Sequence, residues 1–117
     1  MSNQISNGFR LTHTRAAVKI ASMERMLSAI AEPRRREILN LLTNTELSSG
    51  EIAMRFDVTH SAISQHLKIL MDAGLVNVRR EGTRHLYRAS PQGLEELRSL
   101  LLYLVTCFSE KELIKPS

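Results

Sequence analysis

Apolar positions along this chain recur with two periods, one helical and one alternating, and the change between them falls near Val76. From Thr14 to Ala31 helix-forming residues dominate, and Met23, Met26, Leu27, Ile30 and Ala31 share one stripe. Pro33 sits just inside a second helix, where its missing N–H is no loss, and Ile38, Leu41 and Leu42 point inward. Arg34, Arg35 and Arg36 occupy the first turn of that helix, the end at which the macrodipole disfavours positive charge. Something other than helix stability must keep them there. Asn44 to Leu47 reads as a polar connection. Ser48 or Ser49 can cap a short third helix, with Glu51 placed as a capping box requires and Ile52, Ala53 and Phe56 on the inner face. Asp57-Val58-Thr59 forms a turn, and Thr59 is the expected N-cap of a helix from His60 to about Asp72. Ile63, Leu67 and Leu70 repeat on its inner face, which leaves His60, Ser61, Ser64, Gln65 and Lys68 outside; Gly74 closes it.

The period then drops to two. Val76–Arg80 and Arg84–Ala89 flank Glu81-Gly82-Thr83, which predicts a β-hairpin with Val76 and Val78 answered by Leu86 and the neighbourhood of Tyr87. Ser90 and Pro91 open a last helix to about Leu113. Its Leu94, Leu97, Leu101, Leu104 and Phe108 follow a heptad seam, widened by Leu100, Leu102 and Val105. Residues 1–13 are polar and aperiodic, a flexible lead to one domain spanning 14–115. The expected fold is mainly α with a small β-hairpin: a winged helix-turn-helix of five helices and a two-stranded wing.

Composition narrows the function. The 117 residues suit one domain, and an apolar fraction of 43% without Trp implies an aliphatic core. No apolar run approaches the roughly 18 residues of a membrane span, and Met1 to Arg10 lacks the apolar stretch of a secretory signal. A single cysteine, Cys107, excludes an internal disulfide framework and suits the cytoplasm. The net charge of +4 is unevenly spread: residues 1–36 hold seven basic residues against Glu24 and Glu32, and residues 76–90 hold four against Glu81, while residues 37–75 are acidic. Such clusters suit phosphate, although a solvated face or a membrane surface would accept the same charge. No nucleophile–base pair, glycine-rich phosphate loop or paired carboxylates can be traced, and Glu95 and Glu96 are adjacent and so point to different sides. An enzyme is not expected.

The outer face of helix 60–72 decides between these options. A merely solvated helix face usually carries Glu and Lys, yet residues 59–66 hold no formal charge with neutral histidine. Thr59, Ser61, Ser64 and Gln65 are short hydroxyl and amide side chains able to approach base edges; Gln can bind adenine at two atoms together. Lys68 is placed for a backbone phosphate, and His66 either meets a phosphate or packs against the preceding helix. Arg79, Arg80 and Arg84 flank the hairpin turn and would project toward phosphates or a minor groove. The expected partner is therefore double-stranded DNA, bound by a homodimer joined through Leu27, Ile30, Leu94, Leu97, Leu101, Leu104 and Phe108. A winged helix that binds only protein is the alternative. Cys107, among Leu104, Val105 and Phe108, is expected to pack as a small buried hydrophobe, with an intersubunit disulfide as the other option. Tyr87 and Tyr103 are either seam residues or the lining of an effector pocket.

These segments also resemble a known family. Ile30-Ala31-Glu32-Pro33-Arg34-Arg35-Arg36-Glu37-Ile38-Leu39, Gly50-Glu51-Ile52-Ala53, Ser61-Ala62-Ile63-Ser64-Gln65-His66-Leu67-Lys68-Ile69-Leu70, Ala73-Gly74-Leu75-Val76 and Arg80-Glu81-Gly82-Thr83-Arg84 with Tyr87 are similar, in order and spacing, to the ArsR-type bacterial repressors. The resemblance spans about residues 24 to 105. It implies a homodimeric winged-helix repressor, joined by its first and last helices, that leaves its operator when an inducer binds, with Ser61 to Leu70 as recognition helix. The familiar sensor residues are missing. Where metal-sensing members carry Cys-x-Cys this chain reads Glu51-Ile52-Ala53-Met54-Arg55-Phe56, and Ser90 to Leu113 contains no His or Asp. The histidines are His13, His60, His66 and His85, and the pair on helix 60–72 is separated by about 9 Å of helical rise, too far to share a metal easily. Neither metal nor cofactor is expected unless an unfamiliar site holds one, dithiol sensing lacks its second cysteine, and these residues specify no effector.

Overall fold

The computed structural model describes residues 15–114. The expected lead at 1–13, with His13, lies outside them. The elements run α1 (Arg15–Ala31), α2 (Pro33–Leu42), α3 (Ser49–Phe56), α4 (His60–Asp72), β1 (Val76–Glu81), β2 (Arg84–Ala89) and α5 (Pro91–Ile114). Among the described residues these are five helices and one antiparallel hairpin, as the periodicity predicts.

The ends of these helices show why they stop and start where they do. Ser48 and Glu51 form the full capping box of α3: Ser48 Oγ accepts from the Glu51 N–H and Glu51 Oε1 from the Ser48 N–H. Thr59 Oγ1 accepts from the Ala62 N–H at 3.1 Å and so caps α4. At the far end of α4 the Leu75 N–H reaches the Leu70 carbonyl and the Gly74 N–H the Met71 carbonyl, both at 2.9 Å. That is the Schellman arrangement, and it needs the left-handed φ of +78° that Gly74 adopts.

The arginines on the first turn of α2 have a structural explanation that periodicity could not supply. Arg35 Nε donates to the Ala29 carbonyl at 2.7 Å and its Nη2 to the Ser28 carbonyl; Arg36 Nη1 donates to the Ile30 carbonyl at 2.6 Å. They cap the C-terminus of α1, where cations are favoured, although they belong to the N-terminus of α2. Glu32 Oε1 accepts from the Arg34 and Arg35 N–H groups and caps α2. Desolvation raises its pKa, but the two backbone N–H bonds outweigh it and hold the carboxyl below its ordinary range. Arg34 lies over the Phe56 ring, 5.2 Å from its centroid.

The core is aliphatic. Ile38 and Leu42 from α2, Ile52 from α3, and Ile63, Leu67 and Leu70 from α4 meet around Leu75 and Val76. Helix α4 packs on α1, α2, α3 and β1 at once, so its inner face is locked from several sides. Several expectations are corrected. Ala31 is exposed because α1 ends there, and Ala29 is buried in its place; Leu39 is buried and Leu41 only half-buried. Leu47 is not part of a polar connection: it is buried and exchanges two backbone hydrogen bonds with Tyr87, an isolated antiparallel bridge beside the two-stranded hairpin. Val78 pairs with Tyr87 but Leu86 pairs with Arg79, so Leu86 lies on the face opposite the valines. Cys107 is exposed, because α5 extends beyond the body of the domain at that point.

Helix α5 begins under a tight constraint. Ser90 Oγ caps it by accepting from the Gly93 N–H, and the Ser90 N–H donates to the Leu75 carbonyl at 2.8 Å. Gly93 itself presses on the turn after α4. A Cβ there would run into the carbonyl oxygen of Gly74 and come within 2.9 Å of its carbon. Gly93→Ala is therefore expected to destabilise the fold by about 1–3 kcal/mol, because backbone on both sides must move. Thermal unfolding would show it, and an unchanged midpoint would contradict this close approach.

Candidate nucleic-acid interface

Helix α4 divides as its sequence demands. Ile63, Leu67 and Leu70 are at most 1% exposed, whereas Ser61, Ser64, Gln65 and Lys68 face solvent. Ser61, Ser64 and Gln65 stand at i, i+3 and i+4, hence on one surface. They present hydroxyl and amide groups beside the capped N-terminus, the part of such a helix that enters a major groove. Lys68 Nζ lies 3.4 Å from Asp72 Oδ2, an exposed pair that a phosphate could readily replace.

The two histidines of α4 have separate partners. His60 is exposed, and its Nε2 lies 2.5 Å from Ser49 Oγ, which ties the first turns of α3 and α4 together. His66 is half-buried and turned toward α2, with Nδ1 3.4 Å from Arg35 Nη1. The contact His66 makes is thus to α2, not to the preceding helix α3.

The wing follows α4 directly and turns at Gly82-Thr83. Arg79, Arg80 and Arg84 are all exposed, yet they are not equivalent. Arg79 donates from Nε and Nη2 to Glu46 at 2.7 and 2.9 Å, and Arg84 Nη2 donates to Glu51 Oε1 at 3.0 Å. Among the described residues Arg80 has no such carboxylate partner. The side-chain bond from Arg79 holds the Glu46 carboxyl below its ordinary range, and the same contact raises the Arg79 guanidinium. Glu51 is lowered too, first by the Ser48 backbone N–H and only later by Arg84. Reading the sequence missed Glu46 altogether and offered Ser49 only as a cap of α3, not as the partner of His60. The Glu46–Arg79 contact spans 33 residues and the Ser49–His60 contact 11, and no local pattern marks either.

The model of the arsR family of bacterial regulatory proteins matches residues 32–78, from the cap of α2 through the start of the wing. An HTH-type transcriptional regulator of Mycobacterium tuberculosis is 42% identical over 78 residues, covering 67% of this chain and 73% of that protein. The chain belongs to the arsR family.

Two further comparisons place this arsR-family regulator among winged-helix proteins. The transcriptional activator HlyU of Vibrio cholerae is 41% identical over 76 residues, covering 65% of this chain and 70% of the relative. A solution structure described as a homodimeric winged helix-turn-helix DNA-binding domain from Mycobacterium bovis superposes with a TM-score of 0.64 at 32% identity, covering 88% of this chain and 94% of that one. The arsR-family chain is thus a DNA-binding transcriptional regulator with a winged helix-turn-helix.

The residues expected at a dimer seam fall into three groups in this arsR protein. Leu97 is buried within the chain and belongs to the core, which corrects its assignment to the seam; Leu27, Ile30, Leu94 and Leu104 are half-buried against that core. Leu101 and Phe108 are open to solvent at 39% and 65%, and Val105 between them at 59%. Beside them, α1 and α5 enclose an open groove of about 650 Å³ lined by Val18, Met23, Met26, Leu100 and Tyr103. Tyr103 is exposed, not buried. Among the described residues no group of three His, Cys, Asp or Glu side chains could hold a metal ion, and no helix is long and apolar enough to cross a membrane.

Proposed function

We propose that this arsR-family regulator is a homodimeric repressor that occupies an imperfect palindrome in the cytoplasm. One domain, residues 14–115, reads the operator with α4 and clamps it with the wing. The observation that carries this reading is the uncharged, hydroxyl- and amide-bearing face of α4, held outward by a fully buried opposite face. Thr59, His60, Ser61, Ser64 and Gln65 form the reading head. Lys68 and the wing arginines bind phosphate, while His66 supports the helix from behind. The exposed stripe of α5 supports the two-fold assembly, since contiguous apolar surface of this kind is normally covered. The homodimeric relative from Mycobacterium bovis points the same way. The protein acts by binding, not by turnover.

Selection of bound sequences from a random duplex pool, with and without added divalent metals and oxidants, tests this reading. The enriched sites should be palindromic, with half-site centres about 34–36 Å apart, one turn of the duplex. Recovery of an asymmetric motif would defeat the dimer, and recovery of none would defeat sequence reading. A site population that changes with metal or oxidant would reveal a sensor outside the familiar family patterns.

A further inference from the structure

The segment before and at the start of α3 grips both strands of the wing. Glu46 takes Arg79 of β1 in a bidentate pair, Leu47 exchanges backbone hydrogen bonds with Tyr87 of β2, and Glu51 takes Arg84 of β2. Glu81 also approaches Arg79, at 3.6 Å. Counting Arg79, Arg80, Arg84 and Arg88 against Glu46, Glu51 and Glu81, the wing and its grip carry only +1. The clamp that sequence alone presents as a bare arginine cluster is largely neutralised before any DNA arrives.

We propose that Glu46 and Glu51 are affinity-setting residues for DNA binding: Glu46 takes one edge of the Arg79 guanidinium and Glu51 one amino group of Arg84, so a phosphate meets each arginine in competition with a carboxylate. The inference rests on the wing being a DNA clamp. Arginine binds carboxylate and phosphate through the same forked geometry, so the two compete for one set of N–H donors. Both guanidiniums are about half exposed, and exposed pairs are weak, so the competition is close to balanced and the acids lower affinity without abolishing it. Because the restraint acts on phosphate contacts, it lowers binding to every DNA sequence alike.

The test uses the full chain with a random-sequence duplex across a salt series, comparing Glu46→Gln, Glu51→Gln and the double variant. Glutamine keeps the shape, and at position 51 it keeps the capping box. Each single variant should bind roughly two- to fivefold more tightly, and the slope of log affinity against log salt should steepen by up to about 0.9 for each arginine released. A misfolded variant would not produce a gain. The gain of Glu46→Gln should vanish when Arg79→Gln is added; if it survives, the acid acts by general repulsion and the pairing idea fails. Arg80→Gln separates the two readings, since Arg80 has no carboxylate to displace. If Arg80→Gln weakens binding while the glutamine variants leave affinity and slope unchanged, the restraint is wrong and the clamp stands. If Arg80→Gln also changes nothing, the clamp itself is wrong.

Discussion

Replacing both Leu101 and Phe108 with glutamate is expected to yield a folded monomer that binds operator DNA roughly a hundred- to ten-thousand-fold more weakly, the range by which linked binding modules exceed single ones. With Val105 these residues stand at i, i+4 and i+7 on α5 and form one exposed apolar stripe, while Leu97 and Leu100 of the same helix are spent inside the protomer. A charge at an exposed position costs the monomer little, so the fold should persist. Across a two-fold axis the same change brings four carboxylates together and removes the apolar contact. Sedimentation gives the mass and circular dichroism the fold, while fluorescence anisotropy gives the affinity. A variant that remains dimeric would move the interface off this stripe, toward the exposed Val18 and Ile20 of α1.

The second large effect is on sequence preference. Ser64→Ala with Gln65→Ala should bring binding to the selected operator down close to binding of random DNA. A good bidentate base contact is worth about 1–3 kcal/mol of discrimination, and a two-fold protein makes each substitution twice, so about 2–6 kcal/mol is at stake. Neither side chain is charged and both are exposed. The salt dependence should therefore stay as it was, and the fold should not suffer, since alanine is the better helix former. Competition titrations between operator and random duplex measure the ratio. If the double variant kept its full preference, the reading face would have to lie elsewhere.

How much of this was legible in the sequence differs by residue. The caps at Ser48 and Thr59 and the stop at Gly74 are local devices, and they sit where short-range pattern puts them. So does the division of α4 into a buried and a polar face, because helical period and burial agree there. Contacts between distant segments left no periodic trace. Arg35 and Arg36 look misplaced at the start of α2 until the C-terminus of α1 is seen beside them. Glu46 looks like loop polarity until Arg79 is brought against it. Leu97 and Leu101 share one heptad pattern, yet one is core and the other surface, since the pattern marks an apolar stripe without saying what covers it.

The seat of Gly93 on the Gly74 carbonyl has a consequence for how this protein could diverge. Only a hydrogen atom fits between the turn after α4 and the start of α5, so this joint admits no side chain without moving backbone. Descendants of this sequence that recognise operators with a different spacing would have to re-cut the far end of α5 or the stripe of α1, leaving the joint untouched. Exposed positions of α4 such as Ser64 could meanwhile drift to new bases without disturbing that joint. Letters and spacing would then evolve independently, on separate parts of one small domain.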